Sequence, residues 1–243
     1  MKKAIGYVYV IAAAVCWGFL GLFNRVLTAA GVSLLNMMPL RFGGTAILFT
    51  VFCMMFKQQV FHIKLRHLPI FLGSGLISML LVLCGCALVS GIVGSDVGIS
   101  LEGLLMGLAS ELCYGGYTIF THYGMRYCDS FTMAYWTFLI AGIALLFLAD
   151  GPALLSALAE PRTGLAALGL MVMGTALPFT LYTKGLETVE SGKAAIIANI
   201  EPVMSAVIGV TVFQETLGLW TLVGIVLVLS GVVVLACEKE PDK

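Results

Sequence analysis

The sequence predicts an all-α fold, a polytopic membrane bundle of about eight transmembrane helices. Three observations carry that expectation. Of 243 residues, 60% are apolar before 28 glycines are counted. Only 11% are charged, against roughly 25% in an ordinary soluble domain. The apolar residues also fall into runs of about 20, the length that crosses about 30 Å of hydrocarbon. A globule cannot cover a watery surface with so few charges, and disordered chains show the opposite balance.

Such runs occur near 5–28, 34–56, 68–90, 100–122, 131–149, 163–185, 194–213 and 216–236. The opening Met1-Lys2-Lys3 imitates a signal peptide. The run continues through Trp17, Gly18 and Phe19, beyond the Ala12–Ala14 cluster, so an uncleaved first span is expected. The longest connections, 57–67 and 150–162, carry charge or proline (Pro152, Pro161). With the N-terminus in the cytoplasm, ten Lys and Arg residues fall on inner segments and only Arg162 on an outer loop. That excess predicts both termini inside; the membrane expected is the plasma (inner) membrane. Net charge is zero, so no broad field for nucleic acid exists and no such partner is expected. The seven cysteines lie in or next to apolar runs and read as small packing residues.

An internal repeat runs through the chain. Cys16-Trp17-Gly18 falls on Cys113-Tyr114-Gly115 at an offset of 97, and Phe23 falls on Phe120. The second span follows the fifth, with Gly44 and Phe49 matching Gly142 and Phe147. The third span echoes two later ones: its start, from Arg66, resembles the stretch from Arg162, and its end, to Ser90, resembles the stretch to Ala236. From Gly18 to Gly85 is 67 residues, whereas from Gly115 to Gly231 is 116, so the first copy is shorter by 49. That is two spans' worth. The expected division is a shortened repeat of three spans over 1–98, a complete repeat of five over 99–237, and a tail over 238–243. Two complete five-helix units would sit inverted in the membrane, an arrangement typical of secondary transporters.

An ionisable residue at mid-span costs on the order of 2.5–3.5 kcal/mol on insertion scales, so each one needs a reason. Glu111 shares a helix face with Gly107, Gly115, Thr118 and His122, a small and polar stripe. The stripe reads either as close helix packing or as the lining of a site. Glu201 precedes Pro202, which leaves the carbonyl of Ala198 without its amide; Ser205 and Gly209 lie on the same face. A carboxylate, a freed carbonyl and little bulk suit a cavity wall, and burial would make Glu201 a proton carrier. A satisfied acid at a structural kink is the competing reading. Arg41 pairs with a buried acid or attracts an anionic solute group. Arg25, near the outer end of the first span, is explained by snorkelling. Pro178 is expected to break the sixth span near Thr175 and Thr180. Trp17 and Trp136 are lining or packing aromatics. The candidate substrate pathway is therefore Glu201, Glu111, Arg41, Pro202, Ser205, Trp17 and Thr118.

Nothing points to an enzyme, a cofactor or a metal. Ser191-Gly192-Lys193 imitates a phosphate loop, but Ala194 stands where a hydroxyl is required. All four aspartates lie outside the spans, and Cys84 and Cys86 have no companions for a zinc site.

The run Tyr182-Thr183-Lys184-Gly185-Leu186, then Ala194 to Glu201-Pro202-Val203, then Gln214-Glu215, Gly224 and Gly231, resembles the EamA-like branch of the drug/metabolite transporter superfamily. Trp17-Gly18 and Arg41 are similar to that family's first-repeat pattern. The resemblance implies two inverted five-helix units, ten helices in all, exporting or importing small metabolites such as amino acids or drug-like solutes. This chain departs from it in lacking the first-repeat counterpart of the Glu201-Pro202 helix. Two functions therefore stand: a secondary transporter working by alternating access, or a transport-deficient relic serving as a membrane scaffold or subunit. The implied partners are a small-molecule substrate, the lipid bilayer and a second copy of the chain, and the gap is left for a second subunit or lipid to fill.

Overall fold

The structure, a computed structural model, describes residues 2–56, 58–61, 67–77 and 101–237. The later half of the third span, Cys84 and Cys86, the echo ending at Ser90 and the tail 238–243 lie outside the described residues. Among the described residues all regular structure is helical. The helices are α1 (Lys2–Gly18), α2 (Leu20–Ala29), α3 (Leu34–Phe56), α4 (Leu68–Ile77), α5 (Leu101–Gly124) and α6 (Ser130–Leu145). They continue as α7 (Gly151–Leu158), α8 (Pro161–Met171), α9 (Leu177–Leu186), α10 (Ser191–Ala198), α11 (Ile200–Phe213) and α12 (Leu219–Cys237).

Among the described residues, four helical segments are long and apolar enough to cross a bilayer: Ala4–Ala29, Leu35–Phe56, Pro161–Leu186 and Ser191–Phe213. At 1.5 Å per residue, their 22 to 26 residues reach about 33–39 Å. Shorter apolar helices, among them Ser130–Leu145 and Thr221–Val232, accompany them.

Three of the four long segments are interrupted. The first span, expected as one helix over 5–28, breaks at Phe19, whose amide bonds the Cys16 carbonyl at 3.1 Å before α2 restarts. The sixth span carries a π-helical turn, Val172–Ala176, between α8 and α9. The break expected at Pro178 thus lies just ahead of it. Pro178 fits the start of α9, where a missing amide hydrogen is tolerated. The seventh span breaks at Asn199, between α10 and α11. Proline at 202 offers no amide to the turn before it, and the Asn199 side chain donates back to the Ala195 carbonyl at 3.1 Å.

The connection 150–162, expected as a loop, contains α7. Local chemistry explains it. Asp150 accepts from the Ala153 amide at 3.2 Å and Pro152 sits in the first turn, a complete N-terminal signal. The buried Asn36 at the head of α3 accepts from the Asp150 amide at 2.8 Å and anchors this cap to the bundle.

Helix α9 is the hub. It packs on α1, α6 and α5, while α3 packs on α6 and α8, and α11 on α1. Lipid is as apolar as leucine, so association rests on close packing and interhelical hydrogen bonds rather than on water exclusion. Glycine supplies the closeness at two crossings. A Cβ on Gly185 would stand 2.5 Å from Val10 and 3.0 Å from the Gly6 carbonyl, where α1 crosses α9. A Cβ on Gly142 would stand 2.9 Å from the Cα of Gly43, where α6 crosses α3. Around these crossings lies an aromatic core of Trp17, Phe42, Phe49, Phe138, Phe179 and Tyr182. A second cluster, Leu27, Val32, Met37, Leu40 and Leu170, joins α2, α3 and α8. The opposite faces expose Val8, Ile47, Phe147, Leu165 and Val226, as acyl chains require.

Candidate functional site

The structure does not bring all the sequence-predicted residues together. A first group gathers where α1, α5, α9 and α11 approach. Trp17, at the end of α1, is buried and lies edge-on to Phe179 at 5.1 Å and tilted to Tyr182 at 5.4 Å. Thr118 shares a hydrogen bond of 3.3 Å with the Tyr182 hydroxyl, and it also donates to the Tyr114 carbonyl at 3.0 Å. The Tyr114 ring lies tilted against that of Tyr182, centroids 6.1 Å apart. Glu201, half-buried in the first turn of α11, lies within electrostatic reach of Tyr114. Thr118 and Trp17 thus meet at Tyr182, with Tyr114 against the same ring; neither tyrosine stood among the candidates.

Ser205 serves a neighbouring purpose. Its hydroxyl donates to the Gly18 carbonyl at 3.2 Å, tying α11 to the break between α1 and α2. A Cβ on Gly18 would stand 2.4 Å from that of Met204, so the two interrupted spans touch there. Pro202 is exposed on the outer side of α11. Glu111 lies in α5, three residues ahead of Tyr114, but its side chain is outside the described residues.

The second group centres on Arg41, on α3. Its Nε donates to Thr175 Oγ1 at 3.0 Å, and a terminal nitrogen reaches the Gly174 carbonyl at 3.4 Å. Thr45, one turn along, donates to the Met171 carbonyl at 3.1 Å. Thr175 in turn donates to Leu170 at 2.9 Å. A π turn leaves carbonyls out of register with the amides that follow. Arg41 and Thr45 satisfy two of them from across the interface.

Arg25 does more than snorkel. It forms an ion pair with Glu215, beyond the end of α11, and lies 4.3 Å over the Phe213 ring. Glu215 is positioned by the C-terminal motif of α11: its amide donates to the Gly209 carbonyl at 3.1 Å while Gln214 takes a left-handed conformation, φ 56°.

The missed residues, Tyr114 and Tyr182, had one available signal. Tyr114 aligns with Trp17 in the repeat comparison, so an aromatic and its counterpart occupy matched positions. In the fold both rings lie tilted against Tyr182.

A bundle of long apolar helices with interruptions facing one another defines a polytopic helical membrane protein. Comparison with known proteins agrees and narrows the class. The family described as EamA-like transporter matches residues 101–237, more than half of the chain. The protein belongs to the EamA-like transporter family. It is similar to an "Uncharacterized transporter" of Archaeoglobus fulgidus, 31% identical over 136 residues, covering 54% of this chain and 47% of the relative. It is similar to "Uncharacterized transporter YwfM" of Bacillus subtilis, 27% identical over 174 residues, covering 70% of this chain and 57% of the relative. A shorter match joins it to "Multidrug resistance protein EbrB" of Bacillus atrophaeus, 32% identical over 87 residues, covering 35% of this chain and 74% of that protein. The chain spans about half the length of the first of these relatives. Family and relatives point to transport rather than to enzymatic chemistry.

Proposed function

We propose that the protein is a secondary transporter of small polar or amphipathic metabolites, amino-acid or drug-like in class, working by alternating access with proton coupling at Glu201. The observation that carries this reading is the meeting of two interrupted spans where Ser205, one turn along α11 from Glu201, donates to the Gly18 carbonyl. Interrupted helices at a shared interface give backbone and side-chain polar groups to a solute without exposing them to lipid. The rings of Trp17, Tyr114 and Tyr182 offer flat apolar contact, and the hydroxyls of Tyr182 and Thr118 offer hydrogen bonds. Glu201, Trp17 and Thr118 hold the solute in this reading. Arg41, Ser205 and Pro202 shape the helices around it, and Glu111 extends the pathway along α5.

The family match over 101–237 supports a complete repeat over 99–237 preceded by a shortened one over 1–98. The basic residues of the connections support both termini on the cytoplasmic side of the plasma membrane. The gap in the first repeat is filled by a second copy of the chain.

Thermal-shift screening of the purified protein against a metabolite library identifies the solute, and uptake into proteoliposomes then tests transport. The account expects accumulation above equilibrium when the lumen is made alkaline. A folded protein that binds a solute and never moves it would be the scaffold of the competing reading.

A further inference from the structure

We propose that Arg25 and Glu215 latch the seam between α2 and α11, and that the bundle opens along this seam at the end away from Lys2. Its part in solute movement rests on the transport reading; the latch itself does not.

The two interrupted spans run side by side in the same direction. Gly6 of α1 lies against Thr188 and Val189, just ahead of α10. Gly18, at the break, lies against Met204 of α11. Arg25 of α2 then pairs with Glu215, beyond the end of α11. The two halves of this pairing are held differently. Ahead of the breaks, α1 packs on α9 and α10, so closely that a Cβ on Gly185 would stand 3.0 Å from the Gly6 carbonyl. No such contact holds the half beyond the breaks.

Apolar packing assigns α2 to a different body. Leu27 is wholly buried with Val32, Met37, Leu40 and Leu170, and α11 gives no residue to that cluster. Phe23 and Leu20 fill the space that Gly169 and Gly174 leave open on the neighbouring span. On α11 itself only Ile208 and Gly209 are buried, while Val207 and Val212 are exposed. Among the described residues, the polar bonds that join α2 to α11 are those of Arg25: the ion pair with Glu215 and the guanidinium 4.3 Å over the Phe213 ring. Tightly packed helices move together, and a thin polar contact is where two bodies part.

Glu215 is set for this pairing by its own helix end. Gln214 turns the chain back in a left-handed conformation, and the Glu215 amide donates to the Gly209 carbonyl at 3.1 Å. The carboxylate then lies over Gly209, where a Cβ would stand 2.6 Å from Oε2, so glycine there makes the room. Both partners stay half exposed, with side-chain exposures of 50% and 48%. An exposed ion pair and a cation over a ring are weak bonds, together shifting a closed-to-open ratio by roughly three- to tenfold. That suffices to bias the seam shut and still lets it release, which a buried pair would not.

A thiol at the floor of the seam reads its opening. Met204→Cys sets one against Gly18, about 13 Å back from the end of α11 at 1.5 Å per residue, beyond the reach of fraying in the last turn. The full chain in lipid nanodiscs is treated with an uncharged, water-soluble methanethiosulfonate, whose local concentration does not follow charge changes at the latch. Peptide mass spectrometry reads position 204 apart from the native cysteines. Labelling is expected to be slow with Met204→Cys alone and roughly three- to tenfold faster once Arg25→Gln is added. Glu215→Gln, which spares the ring contact, gives a smaller rise. The charge swap R25E/E215R, which restores the pair with its sense reversed, brings the rate back below that of Arg25→Gln. Unchanged rates in both single variants overturn the proposal, and a swap as fast as Arg25→Gln overturns the ion pair as the latch. Each variant alters half-exposed side chains and is read separately, so the failure of one to fold leaves the others to decide. Faster labelling without solute uptake removes the transport reading and leaves the latch. Uptake with labelling unchanged does the reverse.

Discussion

Arg41 on α3 reaches the carbonyl of Gly174 at 3.4 Å, the carbonyl to which Pro178, four residues on, has no amide hydrogen to offer. The same guanidinium donates to Thr175 at 3.0 Å. A charge at membrane depth is therefore matched to a helix defect in another span. The defect supplies acceptors, and the charge supplies donors in a fork that can meet two of them at once.

Replacing Arg41 by Gln shortens the reach and loses the Gly174 contact. Interhelical hydrogen bonds in membranes are each worth about 0.6–2 kcal/mol, so a fall in thermal stability of that order is expected. In a Pro178→Ala background the restored amide takes part of the burden, and the loss from Arg41→Gln is smaller. Equal losses in both backgrounds, measured by thermal unfolding in detergent, would separate Arg41 from the proline.

Gly142 presses on the Cα of Gly43, backbone against backbone, so no flexible side chain can yield. Gly142→Ala is expected to lower stability by about 1–3 kcal/mol through overpacking. Gly115→Ala, where a Cβ meets nothing within 4 Å, is the matched control and leaves the melting temperature unchanged or raised.

Gln214 holds φ 56° at the end of α11, a conformation that suits glycine. Gln214→Gly is expected to stabilise by about 1 kcal/mol. The Arg25–Glu215 pair stays in place because the Glu215 amide keeps its bond to Gly209. Thermal unfolding checks the sign.

Cys128 lies between α5 and α6, with its thiol donating to the Gly124 carbonyl at 3.6 Å. Burial first and the neighbouring Asp129 second push it up to about 11. The neutral thiol is favoured, and the reactive thiolate appears only as pH rises toward that value. Alkylation of the Cys128 peptide by maleimide is expected to climb about tenfold per pH unit between pH 7 and 10. Asp129→Asn raises the rate at every pH in that range. A rate that levels off near pH 9 would contradict the shift.

Much of this architecture was legible in the sequence, and the reasons differ by element. Apolar runs bounded by charge located the long spans, because the bilayer fixes their length. Pro178 and Pro202 announced interruptions, since a missing amide hydrogen is a local fact. The sequence could not say where the strain would appear: the π turn precedes Pro178, and the break beside Pro202 falls at Asn199. The acids and Arg41 stood out against an apolar background, whereas Tyr114, Tyr117 and Tyr182 did not. A tyrosine in an apolar helix looks the same whether it packs or hydrogen-bonds, and only the neighbour decides. Partners far apart in the chain, such as Arg25 with Glu215 or Ser205 with Gly18, follow from helix crossings that glycine contacts set.

The central claim is that the Glu201 carboxylate couples solute movement to protons. The direct measurement is solute uptake into proteoliposomes under an imposed pH gradient, compared with exchange across the same vesicles at equal pH. Glu201→Gln is expected to abolish gradient-driven accumulation while exchange continues. Accumulation by the variant at the unsubstituted protein's level would contradict the account.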